Sequence, residues 1–350
     1  MTCPLCAHMI DAAVRIVLIV VIATGVVQNG IHSAQLVLAW HALSRQRSER
    51  RLSLLWRRYA ELSPPISLLV PAFNEEKSVV DSLRSMLALN YPNFEVIAIN
   101  DGSRDRTLAA LIEGFGLEPV SRGFEEAVRH KPIRGLFASP SIPRLLVIDK
   151  ENGGKADALN AGINLSRAPI FCAIDADSVL ENDALLRAVR PFIDEPTRMI
   201  AVGGTIRLAN GCRVESGRVA EVGVPTNFLA LVQAIEYLRA FLMARLAWSK
   251  IGALTIISGA FGLFRREVAL AVGGYSSETV GEDFELVLKM HRHMLDKGKE
   301  YRMRFLPEPV CWSEATESWT VLGRQRSRWQ RGALETFVRH RAMLFKPRYG

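Results

Sequence analysis

The sequence predicts an α/β fold with a mainly parallel central sheet, and three observations lead to that prediction. Strand and helix signals alternate from Ile66 onward, which is the pattern of a parallel sheet covered by helices on both faces. The strands are short uncharged runs, as expected where both faces of a strand are buried. An apolar segment of membrane-spanning length precedes them, so the 350 residues fit one large domain with a membrane-attached part.

The predicted elements follow one another in a regular order. The first strand covers 66–70 and is expected to stop at Pro71, after which residues 75–89 have helical spacing with Asn74 as the N-cap. The other predicted strands are 94–99, 145–148 and the run 170–175, and the other helices begin near Asp105, run from Gly154 to Asn164 and cover 182–192. Residues 114–143, rich in Gly, Pro and Arg, are a longer insertion between these units.

The segment 16–43 is predicted to be a transmembrane helix, because it is long enough to cross the hydrocarbon core of a bilayer. Arg15 is the only Lys or Arg before it, whereas an arginine-rich stretch follows between Arg45 and Arg58. The positive-inside rule then places the rest of the chain in the cytoplasm, at the inner (plasma) membrane. A cleaved signal peptide is disfavoured by the length of the apolar region, and a buried core helix is the remaining alternative.

These signals divide the chain into five parts. They are an N-terminal tail 1–15, the transmembrane helix 16–43, a basic cytoplasmic linker 44–63, a globular domain 64–340 and a segment 341–350 that leads toward a further membrane region.

A second apolar stretch, 228–248, carries Glu236, Arg239 and Arg245 at spacings that allow them to share one side of a helix. This pattern favours an amphipathic helix lying in the membrane interface over a helix that spans the bilayer. An ordinary core helix with one polar side is the alternative.

Composition limits the classes of partner. The net charge is +8, but the sequence contains no nucleic-acid-binding motif, so an anionic membrane surface or a phosphorylated substrate accounts for the charge and no nucleic-acid partner is predicted. The five cysteines form no complete zinc pattern, and we expect them to be reduced, as suits a cytosolic domain.

Polar residues follow the predicted strands and should meet at one edge of the sheet. Asp175 and Asp177 end a buried strand, and two carboxylates so close together suit a divalent cation shared with a nucleotide diphosphate, a solvated turn being the alternative. Asp101 is placed to accept hydrogen bonds from a base or ribose, or to cap a helix. Lys155 follows two glycines at a helix start, where it could meet a phosphate or remain a surface lysine.

The motifs in combination resemble those of inverting family 2 glycosyltransferases with a GT-A fold. The matching segments are 70–76 (VPAFNEE), 100–103 (NDGS), 175–177 (DAD), 281–283 (GED) and 325–329 (QRSRW). The last two narrow the resemblance to membrane-embedded synthases of cellulose, hyaluronan, chitin and poly-N-acetylglucosamine. The resemblance covers about residues 64–340. The lack of a Gly-x-Gly-x-x-Gly or Walker motif disfavours a dinucleotide dehydrogenase and an NTPase.

The resemblance implies a role for each matching residue. Uridine and the rest of the nucleotide sugar are assigned to Ala72, Asn74, Glu75, Asp101, Lys155, Asp175 and Arg328, the last three at the diphosphate end. Mg²⁺ or Mn²⁺ is assigned to Asp177 with Asp175. Asp283, beside Glu282, is the implied general base. The acceptor sugar is assigned to Gln325, Arg328 and Trp329, with the loop 257–261 beside it.

The chain departs from the family pattern at Gly281, where processive members carry threonine, which leaves the substrate open. The expected activity is metal-dependent transfer of a sugar from a UDP-sugar, either UDP-N-acetylglucosamine or UDP-glucose, to a growing β-linked polysaccharide. The expected partners are that donor, a glycan acceptor, membrane lipid and an export subunit. A non-processive transferase acting on a lipid-linked acceptor and a non-catalytic subunit of an export complex are the alternatives.

Overall fold

A ten-stranded sheet forms the centre of the molecule in the computed structural model, which describes residues 4–45, 59, 61–215 and 217–349. The strands are β1 Ile66–Ala72, β2 Phe94–Asp101, β3 Glu118–Pro119, β4 Ile133–Ser139, β5 Ile142–Lys150, β6 Ile170–Ala173, β7 Val179–Leu180, β8 Met199–Leu208, β9 Arg213–Glu215, β10 Arg218–Glu221, β11 Gly262–Arg265 and β12 Arg302–Ser313. Strands β9 and β10 form a separate two-stranded ribbon.

The sheet has the order β3-β4-β5-β2-β1-β6-β11-β8-β12-β7. Its centre, β5-β2-β1-β6, is parallel, and only β4, β11 and β7 run opposite to the other strands. The predicted α/β class with a mainly parallel sheet is therefore confirmed. The insertion 114–143 supplies β3 and β4, which extend the sheet at one edge.

The helices cover the sheet and line the site. They are α1 Pro4–Arg45, α2 Val79–Leu87, α3 Thr107–Phe115, α4 Lys155–Leu165, α5 Ala184–Asp194, α6 Phe228–Leu238, α7 Leu246–Lys250, α8 Arg266–Ala271, α9 Glu282–Asp296 and α10 Trp319–Arg339. A π-helical segment, Arg239–Arg245, joins α6 to α7. The core is made mostly of buried aliphatic side chains of β1, β2, β5 and β8 with the helices that pack on them.

Two local predictions near β1 are wrong. Pro71 does not end the strand, because β1 pairs with β6 only as far as Leu69 and the proline therefore has a single neighbouring strand. Asn74 is not an N-cap, since α2 begins at Val79 after Ser78. Asn74 instead adopts a left-handed backbone with a φ of 58°.

Helix α1 contains the predicted span 16–43. Its segment Asp11–Ser44 is long and apolar enough to cross a membrane, and none of its most apolar part is buried in the protein. Near its C-terminal end, Gln35, Ala39 and Ala42 are buried, where α1 packs on the π-helical segment and α7. Most of the basic linker 44–63 lies outside the described residues.

The stretch 228–248 is not one regular helix. It comprises α6, the π-helical segment and most of α7. One side of α6 is buried through Leu229, Ala230 and Gln233, whereas Phe228 and Ile235 on the other side are 71% and 61% exposed. An exposed apolar side suits the predicted interfacial position, which stays a prediction.

Candidate active site

One group of predicted site residues lies at the carboxyl ends of β1 and β2. The Oδ1 atom of Asn74 accepts a hydrogen bond from the amide of Arg104 at 2.8 Å, and the amide of Glu75 donates to Thr107 Oγ1 at 2.8 Å. These bonds join the loop after β1 to the loop after β2. Ala72 is buried at the end of β1. The bonds therefore fix the shape of the sheet edge at which the nucleotide is predicted to bind.

Asp101 lies at the end of β2 and is only 3% exposed. Its carboxylate accepts hydrogen bonds from Lys150 Nζ at 2.7 Å and Asn152 Nδ2 at 3.1 Å, and from the amides of Gly153 and Gly154 at 3.0 and 2.7 Å. The carboxylate thus holds the loop that leads into α4. Direct contact with uridine would have to compete with these four donors, so the predicted uridine contact stays a prediction.

Lys150 and Asp157 are structural residues that the motifs did not identify. Lys150 is fully buried and makes ion pairs with Asp101 at 2.7 Å and Asp157 at 2.5 Å. Asp157 also accepts both of its 3.0 Å hydrogen bonds from the amide of Lys131 in the insertion. Lys150 and its partner Asp157 together therefore connect β2, α4 and the loop before β4. Its position at the end of an apolar run was the available signal in the sequence.

A second group of predicted residues lines one cavity of about 570 Å³. The members predicted from the motifs are Lys155, Asp175, Asp177, Glu282, Asp283, Gln325, Arg328 and Trp329. They come from the start of α4, the loop after β6, the start of α9 and the middle of α10. The fold thus brings four distant motifs together, whereas Ala72, Asn74, Glu75 and Asp101 do not line this cavity.

Lys155 and the two aspartates lie at one side of the cavity. Lys155 Nζ makes an ion pair with Asp175 Oδ1. Burial alone would lower the pKa of Lys155, but the charge of Asp175 and this hydrogen bond raise it, so the ammonium remains protonated. Asp177 makes no ion pair within the described ranges, and partial loss of hydration together with the charge of Asp175 raises its pKa. Among the described residues, the Asp177 carboxylate therefore has no cation paired with it.

The donor set fits a divalent cation that is only partly coordinated by protein. Within the described part of the chain, no three acidic, histidine or cysteine side chains are grouped closely enough to hold a metal ion. Asp175 and Asp177 still offer two carboxylates, one of them unpaired. Mg²⁺ in particular commonly uses one or two carboxylates and completes its shell with water and substrate phosphates.

Glu282 and Asp283 begin α9. Asp283 Oδ2 accepts a hydrogen bond from the amide of Gly259 at 3.0 Å, and its Oδ1 accepts from the amide of Phe284 at 2.8 Å. These bonds orient the carboxylate and place it beside the loop 257–261. Burial first, and the charge of Asp283 second, raise the pKa of Glu282. The pair can thus provide one oriented carboxylate and one whose pKa is raised by its surroundings.

Helix α10 carries the third side of the cavity. Arg326 forms a bidentate ion pair with Glu236 of α6, at 2.8 and 2.7 Å. Its guanidinium also lies 4.4 Å from the centre of the Trp329 ring. The indole, which is 40% exposed, is therefore held with part of its surface open to the cavity. Arg326 was not among the predicted residues, although it lies within the motif 325–329.

The Gly281 departure has a steric explanation in the packing of α9 on α10. A Cβ atom on Gly281 would lie about 3.0 Å from the backbone of Gly332, and one on Gly332 would lie 2.7 Å from the amide of Gly281. The two backbones therefore approach closely because neither residue has a side chain. A threonine at 281 would require α10 to move away from the start of α9. Gly332 could not be recognised without knowing this contact.

The chain resembles known proteins in its sequence and in its fold. Residues 131–332 match the family described as "Glycosyltransferase like family 2", and residues 67–123 match "Glycosyl transferase family 2". Poly-beta-1,6-N-acetyl-D-glucosamine synthase of Staphylococcus epidermidis is 30% identical over 275 residues, which are 78% of this chain and 56% of that protein. The corresponding synthase of Staphylococcus aureus (strain COL) is 28% identical over the same shares. The chain thus spans 56% of the length of these relatives.

A solved structure supports the fold. The mannosyltransferase of Pyrobaculum calidifontis, in complex with GDP-Man and Mn²⁺, aligns with a TM-score of 0.57 over 91% of this chain and 75% of that chain, at 19% identity. This likeness confirms the predicted GT-A fold, and the family matches confirm a glycosyltransferase related to polysaccharide synthases. The chain belongs to glycosyltransferase family 2.

Proposed function

We propose that this chain is a membrane-attached, metal-dependent, inverting glycosyltransferase that adds sugars from a UDP-sugar to the end of a β-linked polysaccharide. One observation carries the proposal. A single cavity brings Lys155 and the Asp175/Asp177 pair, suited to a nucleotide diphosphate, within the same space as the Asp283 carboxylate and the Trp329 ring. Those are the parts that a transfer from an activated sugar to a sugar hydroxyl requires.

The residues act in one displacement step. Asp283 accepts the proton of an acceptor hydroxyl while that oxygen forms a bond to the anomeric carbon of the donor sugar. The bond from the anomeric carbon to the diphosphate oxygen breaks on the opposite side, and the nucleotide leaves with the electron pair. Lys155 and Arg328 provide positive charge toward the departing diphosphate. The open surface of Trp329 supports the apolar face of the acceptor ring.

Asp177 and Asp175 are the residues that would hold a divalent cation. Bound there, Mg²⁺ or Mn²⁺ would neutralise charge that develops on the leaving diphosphate. Two facts support this assignment: the Asp177 carboxylate has no ion pair of its own among the described residues, and the solved relative carries Mn²⁺ with its nucleotide sugar.

The donor sugar and the location follow from the relatives and from α1. Since the curated relatives are named as synthases of poly-β-1,6-N-acetyl-D-glucosamine, we favour UDP-N-acetylglucosamine over UDP-glucose. Helix α1 would anchor the domain to the inner membrane, with the arginine-rich stretch and the catalytic domain on the cytoplasmic side. Export of the product is assigned to an export partner subunit.

The test is product analysis with the chain reconstituted in lipid nanodiscs. A panel of radiolabelled UDP-sugars and GDP-mannose is supplied with Mn²⁺ or Mg²⁺, and products are sized. We expect a polymer from UDP-N-acetylglucosamine that is lost with EDTA and restored by Mn²⁺. A single-sugar lipid product would replace the proposal with a non-processive lipid-linked transferase. Nucleotide binding without transfer from any donor would indicate a non-catalytic subunit.

A further inference from the structure

Arg245 is a cation of the cavity that the mechanism above does not use. It ends the π-helical segment and lines the cavity together with Asp283. Its Nη1 atom is buried and makes no hydrogen bond with any part of the chain that the structure describes. Burial lowers the pKa of Arg245 to about 10, so the guanidinium is still charged at neutral pH. The cavity therefore contains a charged donor that lacks an acceptor.

The two cations of the cavity differ in the charges that act on them. Asp283 and Tyr237 act on Arg245, whereas Lys155 pairs directly with Asp175 and is also affected by Glu282 and Asp283. Arg245 thus shares the proposed general base with Lys155 but not the Asp175 ion pair, and we assign it to the acceptor side of the site. The guanidinium of Arg245 lies 4.1 Å from the centre of the Phe241 ring, a contact that fixes its plane.

The π-helical segment explains why the side chain points inward. The spacing of the three charged residues of this stretch would allow them to share one side of a regular helix, but only two of them do. Glu236, paired with Arg326, and Arg245 both line the cavity, whereas Arg239 lies 3.5 Å from His32 of α1. Extra residues in π-helical turns change the direction of the side chains that follow, and such turns are frequent at functional sites.

We propose that Arg245 binds an oxygen of the terminal acceptor sugar, beside the hydroxyl that Asp283 deprotonates. The oxygen belongs to a neighbouring hydroxyl or to an N-acyl carbonyl, and either accepts the hydrogen bond that Nη1 lacks. This inference rests on the proposed function, since it assigns a further residue to the acceptor of that reaction. It also accounts for a buried Nη1 atom without a hydrogen-bond partner among the described residues, since such an atom costs stability and is kept where it binds a ligand.

The test compares Arg245→Met with Arg239→Met in the full chain in nanodiscs. Arg239 is the matched control, because it belongs to the same segment but is exposed, lies toward α1 and does not line the cavity. Binding of a β-1,6-linked N-acetylglucosamine tetrasaccharide is measured by saturation-transfer NMR with UDP and Mn²⁺ present. Binding of UDP is measured separately. Arg245→Lys, which keeps the charge but not the planar fork, is a third variant.

We expect Arg245→Met to weaken tetrasaccharide binding about 10- to 100-fold, the range for a lost hydrogen bond to a charged group. UDP binding and the control should stay unchanged, and Arg245→Lys should be intermediate. The melting temperature should not fall, because an unpaired charge is removed. Unchanged tetrasaccharide binding, or an equal loss of UDP binding, would overturn the inference. If wild type binds the tetrasaccharide but transfers no sugar, the proposed function fails while the binding role of Arg245 stands.

Discussion

At the end of β2, the carboxylates of Asp101 and Asp157 form ion pairs with a buried ammonium and accept hydrogen bonds from backbone amides. In the cavity, by contrast, Asp177, Glu282 and Arg245 have no such ion pair among the described residues. The first region neutralises its charges within the protein. The second contains the ion pairs Lys155–Asp175 and Arg326–Glu236, but it leaves these three other groups without an ion pair among the described residues. The loop 150–155 connects the two regions, since Lys150 belongs to the first and Lys155 to the second.

The difference separates structural charges from functional ones. A charge that is buried and fully hydrogen-bonded fixes backbone positions and has nothing left to offer a ligand. A charge with unused hydrogen-bonding capacity raises the free energy of the folded state until a ligand pairs with it. The motif resemblance gave Asp101 and Asp283 direct contacts with the substrates, Asp101 with the nucleotide and Asp283 with the acceptor hydroxyl. In the structure, four donors of the protein already bind the Asp101 carboxylate, whereas Asp283 accepts two backbone hydrogen bonds and lines the cavity.

The largest expected effect is on catalysis, in the cavity that contains the unpaired charges. Asp283→Asn keeps the size of the side chain but cannot accept a proton, so transfer should fall about 10²- to 10⁴-fold, the usual contribution of a general base. UDP binding should change by less than about twofold, since Lys155, the residue proposed to meet the diphosphate, has its ion pair with Asp175. The measurement is initial-rate transfer from UDP-N-acetylglucosamine, with UDP affinity from calorimetry.

A suitable control for this variant is Asp296→Asn, at the opposite end of the same helix, where the carboxylate pairs with Arg292 and Arg348. It should retain wild-type transfer. If Asp283→Asn kept more than a tenth of the wild-type rate, the proton acceptor would have to be another group, and Glu282 would be the first to examine.

In the cluster of Lys150, Asp101 and Asp157, the expected effect is on the stability of the folded state. Lys150→Met leaves the Asp101 and Asp157 carboxylates buried without their cation, which should lower the free energy of unfolding by about 3–5 kcal/mol. The measurement is urea unfolding of the detergent-solubilised chain, followed by circular dichroism. Adding Asp157→Asn to Lys150→Met should recover part of the loss, because one of the two uncompensated charges is then removed. A loss below about 1 kcal/mol would contradict the structural role of Lys150.

Two glutamates of α9 give a comparison within one helix. Burial and the nearby Asp283 raise the pKa of Glu282, whereas for Glu285 burial is outweighed by His340 and Lys289, which lower its pKa. Folding therefore disfavours the charged form of Glu282 and favours that of Glu285. Above the ordinary value of 4.5, Glu282→Gln should be more stable than wild type and Glu285→Gln less stable.

The sign follows from proton linkage and sets the pH range of the test. For Glu282 the native state binds more protons, so the advantage of Glu282→Gln grows from pH 4.5 up through the raised pKa. For Glu285 the deficit of the variant is full above 4.5 and disappears as pH falls through the lowered pKa. Urea unfolding at several pH values between 3 and 8 measures both. Two profiles of the same sign would refute the distinction between paired and unpaired carboxylates.

Local pattern was enough to predict the alternating strands and helices from β1 to α5, apart from the short strands β3, β4 and β7, and the grouping of three cavity residues. Strand ends of a parallel sheet lie at one edge, so Lys155, Asp175 and Asp177 could be expected together from their places after apolar runs. Motif resemblance added the start of α9 and the middle of α10, which no periodicity connects to that edge. These predictions succeeded because each depends on a residue's position within its own element.

Features that depend on contacts between distant segments could not be predicted. In the sequence, Lys150 is simply a lysine at the end of a strand. Only the fold shows that α4 places Asp157 in contact with it. The inward direction of Arg245 depends on a π-helical turn, whereas spacing arguments assume 3.6 residues per turn. From the sequence, Gly281 is only a departure from the family threonine, and its close contact with Gly332 is visible in the structure alone.

The smallest expected effect tests whether burial, and not the distance between the charges, makes the ion pairs of Lys150 contribute to stability. Arg106 Nη2 lies 3.1 Å from Glu113 Oε1, close to the 2.7 Å between Lys150 and Asp101, but these side chains are 74% and 69% exposed. In solvent the attraction is screened and offset by lost side-chain freedom, so Arg106→Ala should change the free energy of unfolding by less than about 0.5 kcal/mol. The same urea experiment measures it, and 0.5 M NaCl should remove whatever difference remains at low salt, because the Debye length falls to a few ångströms. A loss above about 1 kcal/mol would mean that proximity alone stabilises ion pairs at this edge of the sheet, and the distinction between the two regions would then need another basis.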